Sequence, residues 1–296
     1  MAETKKMSEY ERQALDAIHA WKTPQITWFG RAMEVINWPL AKAFDVAMNN
    51  EQVKQVINNS LSGTLKVTND LALLTVRHEA IFEEYRKAGH TIETHNDLIS
   101  LDLEYIDKTI GWLSVKYNSA AFVEGGTTGI VGLPGIPADI VALLTLCQRA
   151  VGEYATYCGF DVSKQPERLF ALNILAYASS PTDGAKYLAL AQLVKLAEDV
   201  AKRKTWQVLE EQTFVKIVQT IAKSVGVRLT KAKLGQVIPV LGAGIGGGFN
   251  AYYVSKVCDA AFYLYRERFL AEKYGPEVIE ETVVPANNLE PTYETG

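Results

Sequence analysis

The chain has 296 residues, of which 48% are apolar and 22% charged, with a formal net charge of −4. Those proportions are ordinary for a globular protein, and a chain of this length buries a sizeable core without staples. Its three cysteines, Cys147, Cys158 and Cys258, exclude a complete disulfide framework, and none forms a close metal-ligand pair, so they read as buried thiols in a reducing compartment.

The opening stretch MAETKKMSEYERQ lacks the apolar core of a secretory signal, and a cytoplasmic protein is expected. The first 45 residues hold Trp21, Trp28 and Trp38, with Pro24 and Pro39 as breakers, which predicts short helices packed on a larger bundle. Asn49 is a candidate N-cap for a helix whose Val53, Val56, Ile57, Leu61 and Leu65 recur at helical spacing. Leu98, Leu101, Tyr105, Ile106, Ile110 and Leu113 predict a second such stripe. Pro137 suits the first turn of a helix running toward Tyr157, Gly159 suits its C-cap, and Ser163 with Pro166 opens the next. Further helices are predicted over Gly184–Lys202, Thr205–Val225 and Ile245–Tyr274. No alternating run bounded by turn signals predicts a strand. The expectation is an all-α fold, a multi-helix bundle with Gly-rich, tightly packed central helices. The segment from Gly275 to Gly296 carries five Glu, three Pro and no basic residue, and reads as a disordered acidic tail. Without those five charges the body stands at +1. Within it, Lys186 to Lys233 holds ten Lys and Arg against four acids.

Two segments are rich in glycine. Residues 124–139 read EGGTTGIVGLPGIPAD, and Leu234–Val254 read LGQVIPVLGAGIGGGFNAYYV without one charge. In the second, Gly242 and Gly246, Ala243 and Gly247, and Gly244 and Gly248 are spaced four apart and share one helix face. Each interior glycine costs roughly 1 kcal/mol relative to alanine, so such a helix needs compensation from close packing or a ligand. Three readings are open: a tight helix crossing, contact with a bilayer, or a phosphate cradle. The cradle lacks both GxGxxG after a strand and GxxxxGK[ST]. Arg228, Lys231 and Lys233 before the run, with Tyr252 and Tyr253 closing it, form a cationic flank and an aromatic edge. Gln236, Pro239 and Asn250 weigh against a full span.

At these residues the chain resembles the EcsC family. The resemblance rests on Ala120–Gly125, then Thr128, Gly129, Gly132, Pro134 and Asp139, and on Arg149 and Tyr157–Asp161. It resumes at Lys233, Ile238–Ala243, Gly246–Gly248 and Asn250, and ends at Tyr265–Leu270 with Lys273 and Tyr274. Cys158 departs from the family's usual Tyr-Gly-Tyr-Asp. The resemblance implies an all-helical domain over residues 91–274, preceded by a helical extension over 1–90. It brings a suspicion of membrane association and, from the family's namesake encoded beside an ABC transporter, a membrane transporter as partner. It transfers no catalytic residue.

Glu124 and Asp139 bracket the mid-chain Gly/Pro segment, where a chain reversal would bring two carboxylates together for a cation or for acid–base work. Asp139 also suits helix capping, and Glu124 suits a buried partner for Arg149 or Arg266. Arg149 and Glu153 are spaced for an ion pair on one helix. Asp161 suits an N-cap, and a buried Asn250 needs partners, such as a carbonyl near Pro239. His90 and His95 lack same-face spacing for a metal. No metal, cofactor or nucleic acid is therefore expected. The leading expectation is a non-catalytic cytoplasmic protein, peripheral at the inner face of the plasma membrane, that contacts membrane surfaces or binds a lipid-like apolar ligand. Arg228, Lys231, Lys233, Gly242, Gly246 and Asn250 are its candidate contacts. The alternatives are a metal-assisted hydrolase using Glu124, Asp139, Arg149 and Asp161, and an interaction module for a membrane transporter.

Overall fold

The computed structural model describes residues 6–22, 51–69, 76–128, 133–180, 183–202, 211–237 and 248–279. Among these the regular elements are all helical: α1 (Glu9–Lys22), α2 (Glu51–Asn69), α3 (His78–Lys87), α4 (His95–Ile99), α5 (Leu103–Ile110), α6 (Leu113–Thr128), α7 (Ile136–Tyr157), α8 (Gln165–Ala178), α9 (Asp183–Ala201), α10 (Glu211–Val237) and α11 (Gly248–Tyr274). Short 3₁₀ turns lead into α7 and follow α11. Asn49, Trp28, Trp38 and the segments 238–247 and 280–296 lie outside the described residues.

The predicted stripe from Leu98 to Leu113 is three helices. Asp102 caps α5 by accepting from the Glu104 amide at 2.9 Å, and Gly111 ends it at φ 49°. Tyr105, expected on the buried stripe, is exposed, because α5 starts a new helical phase. The helix expected to end at Val225 runs on to Val237. Gly226 is no stop signal there: a Cβ at this position would lie 2.9 Å from Thr64 Oγ1, so the glycine lets α2 approach α10. Gly63 does the same for α7, where a Cβ would meet Val141 at 2.5 Å. The tight crossings therefore fall at Gly63 and Gly226. Gly248 faces open space, and Gly242 and Gly246 lie outside the described residues.

α7 and α11 form the centre. α7 packs against α2, α3, α5, α6, α8, α10 and α11, and α11 packs against α1, α6, α7, α8 and α9. α7 ends in a Schellman turn: Gly159 stands at φ 83°, and the Phe160 amide bonds the Ala155 carbonyl at 2.8 Å. Among the described residues, Leu133–Tyr157 is the one helix long and apolar enough to cross a membrane, and the bundle buries just over half of it. The three cysteines are buried and unpaired, as expected of thiols in the core.

Three consecutive charges of α11, Arg266, Glu267 and Arg268, are all buried. Successive residues turn by about 100°, so each meets a different neighbour. Arg266 pairs with Asp107 of α5 at 2.7 Å, Glu267 with Lys22 of α1 at 2.6 Å, and Arg268 with Glu167 of α8 through two bonds of 2.6 Å. Arg268 also lies against the rings of Phe160 and Phe170. Lys273 reaches Glu11 of α1 at 2.6 Å. This sequence of charges fixes the helices around α11.

Candidate functional site

Four helix ends meet at one end of the bundle. α6 and α10 finish there, and α7 and α11 begin there. Asp139, in the first turn of α7, is buried, as are Lys233 near the end of α10 and Asn250 in the first turn of α11. Lys233 Nζ is in contact with both Asp139 Oδ2 and Asn250 Oδ1. Asn250 Nδ2 donates to Asp139 Oδ1 at 2.8 Å. Each member thus meets the other two, and the Lys233 ammonium lies 5.1 Å from the Phe249 ring. Asn250, expected to satisfy a backbone carbonyl, satisfies a carboxylate instead.

Glu124, in the last turns of α6, stands at the edge of this group and is half-buried. Burial pushes its carboxyl above the usual range, and the charge of Asp139 adds to that; Lys233 opposes both. The expected partners of Glu124 are taken by others: Arg149 donates to Glu153 at 3.2 Å, and Arg266 to Asp107. The two carboxylates bracketing the first Gly-rich segment are therefore electrostatic neighbours, with one lysine close to both.

The other candidates stand elsewhere. Arg149 lies midway along α7, in an ion-pair group where Glu153 also binds Lys116 at 2.9 Å. Asp161 follows the far end of α7, and that helix of 22 residues is about 33 Å long. Its carboxylate accepts from the Ser163 amide at 3.0 Å. It is not an N-cap, since Lys164 holds that position for α8. Burial raises the Asp161 carboxyl, but the bonds from Ser163 outweigh this and the net direction is down.

The expected cationic flank is divided. Lys233 is internal. Arg228 is half-buried and donates to the Ala176 carbonyl at 3.1 Å. Lys231 is exposed, on the same side of α10 as the exposed Lys216 and Lys223. Lys231 and Lys233, two positions apart, are turned from each other by about 200° on the helix, so the spacing shows that they face opposite ways but not which of them faces inward.

The helices that meet here are consecutive pairs in the chain. Residues 129–132 join α6 to α7, and residues 238–247 join α10 to α11; neither is among the described residues. Neither contains an ionisable side chain. The buried group therefore fastens three of the four helix ends that carry them, those of α7, α10 and α11, with Glu124 of α6 beside it.

The family model described as the EcsC protein family matches residues 12–270. It begins well before Ala120, where the quoted resemblance starts. The chain is 27% identical over 207 residues to Protein EcsC of Bacillus subtilis (strain 168), covering 67% of this chain and 81% of that one. It is 22% identical over 266 residues to a second protein of the same organism, Uncharacterized protein YdbA, covering 88% and 93%. No solved structure matches the chain.

Proposed function

The chain belongs to the EcsC family, and we propose that it is a non-catalytic helical protein that contacts membrane surfaces through the bundle end where the helices joined by its Gly-rich links begin and finish. One observation carries this reading. Two uncharged interhelical links, far apart in sequence, connect helix ends at one place in the bundle, where a buried Lys233–Asp139–Asn250 group ties the ends of α7, α10 and α11 together and Glu124 of α6 stands beside it. Uncharged, Gly-rich sequence joined to these helix ends suits contact with the headgroup region or with a lipid-like apolar ligand. The membrane meant here is the inner face of the plasma membrane, with the protein peripheral to it.

With Lys233 and Arg228 engaged inside the bundle, apolar contact outweighs the cationic flank in this reading. Binding should therefore persist at high salt, which screens surface charges beyond about 10 Å. Flotation of the purified chain with neutral and anionic vesicles, at low and high salt, tests this. Salt-resistant flotation supports the reading, and failure to float with any vesicle overturns it. A metal-assisted hydrolase would draw on Glu124 beside Asp139, but would have to work without Arg149 and Asp161.

A further inference from the structure

The outer side of α6 is the least expected surface of the molecule. Trp112, just before the helix, is 81% exposed, and Val115, Phe122 and Val123 are 50%, 63% and 67% exposed. A turn of about 100° per residue places Val115, Ser119, Phe122 and Val123 within an arc of roughly 100°, and the arc extends about 16 Å from Trp112. Leu113, Tyr117 and Ala121 fill the opposite side and are buried against the bundle. Isolated exposed apolar residues are common, whereas four large ones on one helix arc form a patch that marks an interaction surface.

The borders of the arc are cationic. Lys116 of α6 is exposed and Arg149 of α7 is half-exposed, and the single acid between them, Glu153, is buried. α7 carries Val141 against Gly63 of α2 on one flank and Glu153 toward Lys116 of α6 on the other. The strip between, next to α6, holds Ala138, Thr145 and Arg149. α11, packed along α6, exposes Tyr252 with Lys256 over its ring at 5.6 Å. Asp259, the acid on that side, is only partly exposed.

We infer that α6 lies in the plane of the membrane interface, with Trp112, Val115, Phe122 and Val123 entering the boundary between headgroups and acyl chains, and Lys116, Arg149 and Lys256 meeting anionic headgroups. The inference rests on the membrane reading above and extends the contact surface from the Gly-rich end along the outer side of α6, which finishes there. An apolar helix face with an indole at its end and cations along its borders matches the layering of a bilayer surface, apolar below and anionic above. The charged border selects a lipid surface over a purely apolar protein groove.

The test uses the full chain. Ser119→Cys, in the middle of the arc, takes a thiol-reactive environment-sensitive dye, since Cys147, Cys158 and Cys258 are buried. Lys223→Cys on α10 serves as the control. With vesicles of phosphatidylcholine and phosphatidylglycerol, the dye at 119 should shift to the blue and become shielded from aqueous quencher, and the dye at 223 should not. Trp112→Ser with Phe122→Ser, both at exposed positions, should weaken flotation roughly tenfold or more. Lys116→Gln with Lys256→Gln should remove the preference for anionic over neutral vesicles. If the parent chain floats while the dye at 119 stays in water and the serine variant floats equally, the assignment to α6 falls and the membrane reading stands. If the parent chain does not float, both fall. If the serine variant instead lowers the molar mass in light scattering, the face joins copies of this chain and the inference is overturned.

Discussion

Lys233 places an ammonium in the interior of the bundle, and it is stable there because Asp139 and Asn250 supply a carboxylate and an amide oxygen. Removing one partner of such a pair leaves an uncompensated buried charge, which costs more than the pair contributes. Lys233→Met should destabilise the protein by about 3 kcal/mol, read from urea unfolding. Lys233→Met combined with Asp139→Leu should recover part of that loss, since both charges are then gone. A double variant no more stable than the single one would show that the group is not coupled. The position of Glu124 has a different consequence. Its carboxyl is pushed up by burial and by Asp139, so the folded state binds its proton more readily than the unfolded chain. This contribution to stability is full below the ordinary value of 4.5 and is lost as pH rises through the folded value. Glu124→Gln should therefore gain stability relative to the parent as pH rises from 4 to 7. A gap that does not change across that range would remove Glu124 from the group.

Two helix pairings depend on missing side chains or on charge. At the α2–α10 crossing, Gly226→Ala gains about 1 kcal/mol of helix propensity but overfills the seam beside Thr64, which costs about 1–3 kcal/mol. The net expectation is a loss of about 1 kcal/mol in thermal or denaturant unfolding; a stabilised variant would mean that the crossing yields more easily than its geometry suggests. At α1, Glu11 is fully buried, bonds Lys273 at 2.6 Å and accepts from the Tyr274 hydroxyl. Burial raises its carboxyl, but these bonds outweigh it and the net direction is down from 4.5. A lowered carboxylate contributes stability that is present above the unfolded value and lost as pH falls through the folded one. The stability gap between the parent chain and Glu11→Gln should therefore close in acid, below about pH 4. Acid unfolding curves that stay parallel would contradict the pairing. This attachment was hard to foresee, because Glu11 and Lys273 are 262 positions apart.

On the scale of the whole molecule, the helices before residue 91 are integral to the packing. α1 supplies Glu11 and Lys22 to α11, and α2 lies against α7 and α10. A chain beginning at residue 91 would leave Glu267 and Lys273 without these partners and uncover the α2 seam. It should lack a single cooperative transition by circular dichroism, whereas residues 6–279 should unfold as one unit. Independent, cooperative unfolding from residue 91 onward would show instead that these helices pack on a core that is stable without them. The all-helical class was readable along the chain, because apolar spacing and caps act within one or two turns: Pro137 and Gly159 bound α7 closely to where they stand. The breaks at Ser100–Asp102 and Gly111 were not, since the apolar spacing continues across them.

What the sequence determined by itself was the set of local preferences: helices, their punctuation, the two Gly-rich segments and the motifs of the EcsC family. Only the tertiary structure decided which charges are inside. It placed Lys233 with Asp139 and Asn250, 94 and 17 positions away, and sent Arg149 and Asp161 to separate duties. It also decided which side of α6 faces outward, because that helix is apolar around much of its circumference and its own pattern does not choose. The reason is physical. Helical spacing acts between residues a few positions apart, whereas ion pairs and exposure depend on neighbours that only the fold brings together.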